Sequence, residues 1–487
     1  MPRLMSRKPY QALSGPLAWS LGIILLANLL FFTLMVAAQG DQDVIIARVR
    51  AAFETGELGI TDYLFFDTRR GWHQYNDCNV LQMLANRDSS RLKRALAPKV
   101  FYRDYKNQCA VLRAVVVEGV DPNTLLLDRY ARYWHGYNVV AALGLRVMEL
   151  RDLRRVLSGA VWFAIAVLAL VACRSGPRTR RTGLIIALAA ATVWAVPYFA
   201  PGFTHGPGDA FLLLALTAIA AWPRMTVGLG TIVPYAAGFG ATVVFFEMLT
   251  AQLPIAIAWL AAMVLAAGRD EGRPGDVVAP TVTLAAVAAF GLAAIATVIT
   301  KQIIAVLIAE PQAGVVFLAH LSTYMGVPES QRNWPGILLP FIRLVQQSKM
   351  LTFGNTLVGY SLVAAAGLAS LAAAIRGWYK RDNEHGRDVL ILVSAALVPV
   401  AWVFLLPSHT AIHAVFMVRM LIVPISVAPL ALCWPPAQGN RSARESEGRK
   451  SVRNVFSRPS NVGQGRTTAC KRRRAASGWS ATGAGLT

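Results

Sequence analysis

Ten apolar runs recur along this 487-residue chain and constrain its fold more than any other feature. A soluble domain usually carries about a quarter charged residues, whereas this chain is 15% charged and 55% hydrophobic. We assign membrane spans to 17–38, 156–173, 183–200, 210–222, 225–246, 253–267, 277–299, 356–375, 389–407 and 416–434. The sequence therefore predicts an all-α polytopic membrane protein with about ten transmembrane helices, in a range of about nine to twelve, since a span needs about 20 residues.

Lys and Arg residues are distributed unevenly between the loops of this arrangement. Three short loops, 201–209, 247–252 and 408–414, contain neither residue type. The loops on the other side contain Arg3, Arg7, Lys8, Arg174, Arg178, Arg180, Arg181, Arg224, Arg269, Arg273, Arg376, Lys380, Arg381 and Arg387. Because short cytoplasmic loops are enriched in Lys and Arg, the sequence predicts a multi-pass protein of the bacterial inner (plasma) membrane with both termini in the cytoplasm.

The predicted spans divide the chain into parts with different roles. They are a cytoplasmic N-terminus at 1–16, a first transmembrane helix at 17–38, an outer (periplasmic) subdomain at 39–155, a multi-span domain at 156–434 with an outer loop at 301–354, and a tail at 435–487. The first span is an uncleaved anchor rather than a signal peptide, because its apolar core exceeds the usual length of about 7–15 residues. The tail has eleven Lys and Arg against two Glu, which predicts a disordered segment near anionic lipid and not a nucleic-acid partner.

The outer subdomain is too rich in aromatic residues to be a disordered linker. The apolar spacing predicts an amphipathic helix at 44–58, lying in the membrane interface, and another at 132–155. Cys78 and Cys109 both fall in this subdomain. In an oxidising compartment they are candidates for a disulfide that stabilises the fold by roughly 3–4 kcal/mol.

Asp41 and Asp43 directly follow the first span and are the candidate catalytic residues. Carboxylates at the end of a membrane helix are costly to place there and well situated for chemistry on a lipid-borne substrate. One of them would act as the general base that takes a proton from an acceptor hydroxyl. The alternative is structural, since either residue is also a suitable N-cap for the helix at 44–58.

His409, His413 and Arg419 form a second candidate group at the outer end of the last span. The two histidines are four residues apart and so share one face of a helix. With Arg419 as the anion partner, this group suits the phosphate of a donor. Two histidines without a third ligand are weak support for zinc, and polar packing between helices is the other alternative.

Two aromatic stretches of the outer subdomain, 72–77 and 128–137, form a third group. Aromatic rings beside carboxylates, amides and imidazoles are typical of carbohydrate sites, and the same mixture also builds the core of a small domain. The candidate substrate-binding residues here are His73, Asp77, Asp128, Arg132 and His135. We assign His205 and Asp209 to a tight hairpin loop and Glu247 to the membrane interface.

The inner N-terminus, the acidic pair Asp41 and Asp43 after the first span, and the helix at 44–58 resemble the GT-C class of integral membrane glycosyltransferases. The resemblance covers the topology of most of the chain. It implies transfer of a sugar from a polyprenyl-phosphate-linked donor to an envelope glycan, lipid or protein acceptor on the outer face, with an Asp as the base. It does not specify the sugar.

Two other functions remain open from the sequence. A membrane O-acyltransferase would depend on His409 or His413 and not on Asp41, and a lipid or glycan transporter would line a pathway with the same charges. Nucleotide-binding loops and serine-hydrolase motifs are missing from the sequence. No cofactor and no metal site are therefore assigned, although participation of a divalent cation stays open.

Overall fold

The computed structural model describes residues 9–40, 42–60, 74–87, 90–102, 107–247, 249, 251–272, 278–326, 334–352 and 355–435. Most of these residues are helical. Eight helices are long and apolar enough to cross a membrane. They lie at Gly15–Ala37, Leu150–Arg174, Leu229–Phe246, Gln252–Glu271, Ala279–Ile308, Thr356–Tyr379, Glu384–Leu405 and Ala414–Leu432. The chain is therefore a multi-pass membrane protein, as the sequence predicts.

The helices of the bundle follow the predicted spans with shifted boundaries. They are α1 (Pro9–Ala37), α7 (Leu150–Arg174), α8 (Pro177–Val193), α9 (Val196–Phe199), α10 (Gly206–Ala221), α11 (Leu229–Phe246), α12 (Gln252–Glu271), α13 (Val278–Ile308), α16 (Thr356–Tyr379), α17 (Glu384–Leu405), α18 (Pro407–Ile412), α19 (Ala414–Met417) and α20 (Ile422–Leu432). The predicted spans at 183–200 and 210–222 correspond to α8 with α9 and to α10. The tenth predicted span is three consecutive pieces, because a 3-10 turn at Val418–Leu421 separates α19 from α20.

The predicted outer loop 301–354 is largely helical. Helix α13 runs through residue 299, the predicted end of its span, and continues to Ile308. It is followed by α14 (Ala313–Met325), α15 (Trp334–Gln346) and a 3-10 turn at Gln347–Thr352. This region contacts α18 and α19, so it covers the last hairpin of the bundle.

One end of the bundle, here called the arginine end, contains the described arginines that the sequence places in cytoplasmic loops. Arg269 at the end of α12 binds Asp388 of α17 at 2.8 Å and Glu384 at 3.0 Å. The backbone amides of Arg178 and Thr179 at the start of α8 donate to the carboxylate of Asp270. Because helix ends leave backbone groups without partners inside the helix, these contacts satisfy them and fix the spans side by side.

The opposite end of the bundle carries the described residues between 42 and 147, here called the cap segment. It contains α2 (Gln42–Glu54), α3 (Gln74–Ala85), α4 (Arg91–Leu96), β1 (Lys99–Tyr102), α5 (Gln108–Val116), β2 (Leu126–Arg129) and α6 (Gly136–Val147). The strands are antiparallel, with Lys99 opposite Arg129. A disulfide joins Cys78 of α3 to Cys109 of α5.

Two helices of the cap segment differ from their sequence predictions. Helix α2 buries Ile45, Val49 and Ala52 and contacts α3, α5 and α6, so its apolar face packs on protein. The predicted helix at 132–155 is two helices, because the chain is extended at Met148 between α6 and α7.

Polar side chains of the bundle fasten the cap segment. The buried ammonium of Lys301 on α13 donates to the carbonyls of Leu96 at 2.6 Å and Ala131 at 3.1 Å. Trp134 Nε1 donates to Asn28 Oδ1 of α1 at 3.3 Å. Each contact satisfies a buried polar group, which would otherwise cost about 1–3 kcal/mol.

Gly136 allows the closest approach between the cap segment and the bundle. A Cβ atom at this position would lie 2.5 Å from the Phe245 ring and 2.8 Å from the Phe245 carbonyl oxygen. Only a glycine fits there without moving α11. The start of α6 therefore lies against the end of α11.

Removal of the disulfide tests how strongly the cap segment depends on it. We expect the Cys78→Ala, Cys109→Ala double variant to be less stable by about 3 kcal/mol, because the bond closes a loop of 31 residues in the unfolded chain. Thermal unfolding in detergent measures the loss. The Cys173→Ala variant is the control, since Cys173 is a free, exposed thiol. An unchanged melting temperature in the double variant would contradict the prediction.

Candidate functional site

A polar cavity of ≈ 70 Å³ lies between the cap segment and the bundle. Residues from α3, the loop before α6, the ends of α11 and α14, and the α18–α19 region form its walls. They are Asn76, Asn79, Val80, Met83, Tyr130, Tyr133, Tyr137, Thr204, Glu247, Leu249, Tyr324, His409, His413 and Phe416. The cavity combines a carboxylate, two imidazoles, two amides and four phenols at the end of the spans away from the arginine end.

Glu247 reaches this cavity because α11 ends at Phe246. The backbone of Glu247 is extended, and the residue is 3% exposed. Four residues later, Ala251 has a φ of 80°, a conformation that costs a non-glycine residue about 1–3 kcal/mol and is frequent near functional sites. The turn between α11 and α12 thus holds a carboxylate inside the protein rather than in the membrane interface, where the sequence places it.

The hydrogen bond of His409 determines which of its ring nitrogens carries the hydrogen. Its Nε2 lies 3.1 Å from the Leu249 carbonyl oxygen, and a carbonyl only accepts, so Nε2 carries the hydrogen. Burial, together with the nearby His413, lowers the pKa of His409 to about 3. The ring is therefore neutral at pH 7, and its Nδ1 carries a lone pair that is able to accept a hydrogen bond from a ligand.

His413 lies beside His409, as the four-residue spacing predicts. The two ring centroids are 4.6 Å apart, and the Tyr324 ring lies 4.7 Å from that of His409. Burial lowers the pKa of His413 to about 4, and the charge of Arg132 acts in the same direction. Both imidazoles are thus neutral hydrogen-bonding groups and not anion-binding cations.

His135 positions the tyrosines of the cavity and does not line it. Its Nε2 donates to the Tyr130 carbonyl oxygen at 2.8 Å, so its Nδ1 accepts from the Tyr137 hydroxyl at 2.8 Å. Burial lowers the pKa of His135 to about 3, which keeps this arrangement neutral. The Tyr130 and Tyr133 hydroxyls are 3.0 Å apart.

Arg132 is the cation adjacent to the cavity. Its guanidinium binds Asp128 at 2.7 Å, donates to the Tyr324 hydroxyl at 3.0 Å, and lies 4.5 Å from the centre of the Tyr130 ring. Asp128 and Arg132, both sequence candidates, therefore support the tyrosines of the wall. Asp128 partly neutralises the arginine.

Two sequence candidates form structural ion pairs elsewhere. Asp77 binds Arg154 of α7 at 2.7 Å and accepts from the Phe203 amide at 3.0 Å. Burial raises the pKa of the Asp77 carboxyl, against the opposing effect of Arg154. This carboxylate ties the cap segment to the bundle and is not free for a substrate.

Arg419 is the second such candidate. It is completely buried and pairs with Asp209, and its guanidinium lies 2.9 Å from His205 Nδ1. The assignment of His205 and Asp209 to a hairpin loop is corrected in part, because Asp209 belongs to the first turn of α10. The sequence signal for this pair is one Asp and one Arg in apolar segments, since a charge inside a membrane needs a partner.

Asp43, the described member of the acidic pair after the first span, does not line the cavity. Asp43 has a side chain that is 87% exposed and binds Arg87 at 2.6 Å, and it is not among the cavity residues. Asp41 and His73 lie outside the described residues, so their predicted roles stay predictions.

Of the described cavity residues, only His409 and His413 were predicted as site residues. Glu247 was assigned to the interface, and Asn79 and Tyr324 were not singled out. A lone carboxylate at the end of an apolar run is the signal that sequence analysis should weigh more heavily. Asn79 and Tyr324 have no such signal, because only the docking of α3 and α14 brings them to the cavity.

The described residues contain no group of three or more His, Cys, Asp or Glu side chains that could hold a metal ion. The donors and acceptors of the cavity suit hydroxyl groups, and binding of a whole sugar requires the walls of this ≈ 70 Å³ cavity to move apart. Comparison of the chain with protein families, curated proteins and solved structures finds no match. The site is therefore interpreted from its geometry.

Acidification tests the neutral state of the cavity histidines. Because the folded-state pKa of His413 lies below the unfolded value of about 6.5, the unfolded chain binds more protons as the pH falls, and stability is lost from pH 6.5 towards 4. We expect the His413→Gln variant to lose about 1–2 kcal/mol less than the wild-type protein between pH 7 and pH 5. Chemical denaturation at several pH values measures the difference.

The His320→Gln variant is the control for the substitution itself, since His320 on α14 is not among the cavity residues. A His413→Gln variant with the wild-type pH dependence would contradict the buried, neutral assignment.

Proposed function

We propose that this membrane protein transfers a sugar from a polyprenyl-phosphate-linked donor to a hydroxyl group of an envelope glycan, lipid or protein. The observation that supports this proposal is the shared cavity of Glu247 and His409, walled by tyrosines and asparagines. A buried carboxylate beside a neutral imidazole supplies acid–base chemistry. Phenols and amides supply the donors and acceptors that a sugar requires.

Glu247 is the proposed general base. Its carboxylate takes the proton of the acceptor hydroxyl, whose oxygen attacks the anomeric carbon of the donor sugar. The bond between that carbon and the phosphate oxygen breaks, and the electron pair leaves with polyprenyl phosphate. No external oxidant or reductant is needed, because the reaction exchanges one C–O bond for another.

The remaining wall residues orient the sugar. The Nδ1 lone pair of His409 accepts from a sugar hydroxyl, and Asn76 and Asn79 bind further hydroxyls. Arg132 contacts the cavity wall at Tyr324 and, through this residue, would stabilise the leaving phosphate. These roles replace the proposed phosphate role of Arg419, whose charge is neutralised by Asp209.

The position of the cavity suits a lipid-linked donor. Glu247 directly follows the span Leu229–Phe246, and His413 directly precedes the span Ala414–Leu432. A donor whose polyprenyl chain stays in the bilayer can therefore present its head group at the level of the cavity. This placement is what an enzyme of the GT-C class requires.

Substitution of Glu247 tests the catalytic assignment. We expect Glu247→Gln to lower kcat by about 10²–10⁴-fold with a small change in KM, because loss of a general base affects mainly the transition state. The assay follows release of undecaprenyl phosphate from a panel of undecaprenyl-phosphate hexoses and pentoses by the protein in nanodiscs. Glu54→Gln is the control, since Glu54 is an exposed carboxylate on α2.

Asp41→Asn and Asp43→Asn variants distinguish Glu247 from the acidic pair. Loss of transfer in Asp41→Asn, with full transfer in Glu247→Gln, would assign the base to the residue that the sequence favours. Failure of the wild-type protein to release undecaprenyl phosphate from every donor would contradict the glycosyltransferase proposal.

A membrane O-acyltransferase is the second candidate function. It is favoured by the Nδ1 lone pair of His409, which suits removal of a proton from an acceptor hydroxyl without Glu247. In that case His409→Gln would abolish transfer, Glu247→Gln would retain it, and the product would carry an acyl group. Mass spectrometry of envelope glycans distinguishes the two products.

The proposed site requires the cap segment to lie on the outer face of the membrane. In intact cells we expect an impermeant maleimide to label an Asn123→Cys variant in the cap segment and not an Arg180→Cys variant at the arginine end. Both variants would be made in a background without the free cysteines. Labelling of Arg180→Cys alone would show that the chain has the opposite orientation in the membrane.

A further inference from the structure

A second and larger cavity lies within the cap segment. It is an open groove of ≈ 640 Å³ between α2, the end of α3, β1 and the end of α5. All described residues that line it fall between positions 46 and 123, so none belongs to a candidate membrane span. Its volume is in the range of about 300–1,000 Å³ that is typical of ligand pockets.

The charge of the groove favours an anionic ligand. Its described lining contains three basic side chains, Arg50, Arg87 and Lys99, and one carboxylate, that of Asp121. Asp121 Oδ1 already accepts from the Asn123 amide at 2.9 Å and from Asn123 Nδ2 at 3.0 Å. One negative charge against three positive charges leaves the described lining with a net positive charge.

Arg50 is held in place before any ligand binds. Its Nε and Nη2 groups donate to the Val116 carbonyl oxygen at 3.3 Å and 3.0 Å. This contact fixes the guanidinium between α2 and α5 and leaves Nη1 for a ligand. A pre-positioned arginine loses less entropy on binding a carboxylate.

Arg87 forms a weak ion pair with Asp43. It binds Asp43 at 2.6 Å, but the two side chains are 70% and 87% exposed. An exposed ion pair favours the paired over the unpaired arrangement by about fivefold at most. An anionic ligand in the groove can therefore displace Asp43 from Arg87.

The uncharged lining suits a sugar. Asn86 and Asn123 provide amides for hydroxyl groups, and Ile46, Leu112 and Val116 provide an apolar surface for the apolar faces of sugar rings. We propose that this groove binds an oligosaccharide carrying carboxylate groups. Its role as the acceptor site rests on the proposed glycosyl transfer.

Helix α3 links the groove to the candidate site. Gln82 and Asn86 line the groove, whereas Asn79 and Met83 line the cavity that contains Glu247. One helix therefore separates an acidic glycan in the groove from the proposed base. A longer glycan could extend past α3 while its charged part stays on Arg50 and Lys99.

Calorimetric titration with trigalacturonate tests the groove directly, with the full-length protein in nanodiscs. We expect Arg50→Gln and Lys99→Gln each to weaken binding about tenfold through loss of a charge-assisted contact. Asp43→Asn should tighten binding about two- to fivefold, because it releases Arg87. The neutral trisaccharide maltotriose is the matched control and should not bind.

Lack of trigalacturonate binding by the wild-type protein, equal binding of maltotriose, or wild-type affinity in both Arg50→Gln and Lys99→Gln would overturn the proposal. If Arg50→Gln fails to fold, Lys99→Gln still tests the proposal, since the Lys99 substitution leaves the contact between Arg50 and Val116 intact. Glu247→Gln should bind trigalacturonate normally. Binding without glycosyl transfer would thus refute the proposed function and leave the groove assignment intact.

Discussion

The buried ammonium of Lys301 sets the relation between the bundle and the cap segment. It belongs to a long apolar helix, and its contacts are the carbonyls of Leu96 and Ala131 and the Trp134 ring. A buried cation without such contacts is strongly unfavourable. Docking of the cap segment is therefore what makes Lys301 acceptable in α13, and the same docking forms the wall of the cavity.

Other buried polar groups act together with Lys301 at this seam. Asp77 and Arg154 join α3 to α7, and Arg146 donates to the Ala38 and Gly40 carbonyls at the end of α1. Removal of one partner of such a pair leaves the other buried and unsatisfied, which costs about 3–5 kcal/mol. The cavity walls are thus held by contacts that are individually costly to break, which favours a preorganised site.

The sequence was sufficient for the helical membrane architecture because hydropathy and span length are local properties. It was also sufficient to predict that His409 and His413 are neighbours, since residues four apart on a helix lie on the same face. Asp77 and Arg419, which the sequence offers as substrate contacts, form ion pairs inside the protein. Their partners, Arg154 and Asp209, are 77 and 210 residues away in sequence, and no local pattern indicates which residue each one meets.

The sequence by itself determined where the apolar helices lie, because a lipid bilayer requires continuous apolar helices. It also determined which end of each helix carries the arginines, because Lys and Arg are enriched in the loops on one side of the membrane. The tertiary structure decided which polar groups meet. It placed Glu247, Tyr324 and His409 in one cavity and Asp43 on the surface beside Arg87. The physical reason is that a buried charge takes its partner from whichever element packs against it, and packing joins residues that are distant in the chain.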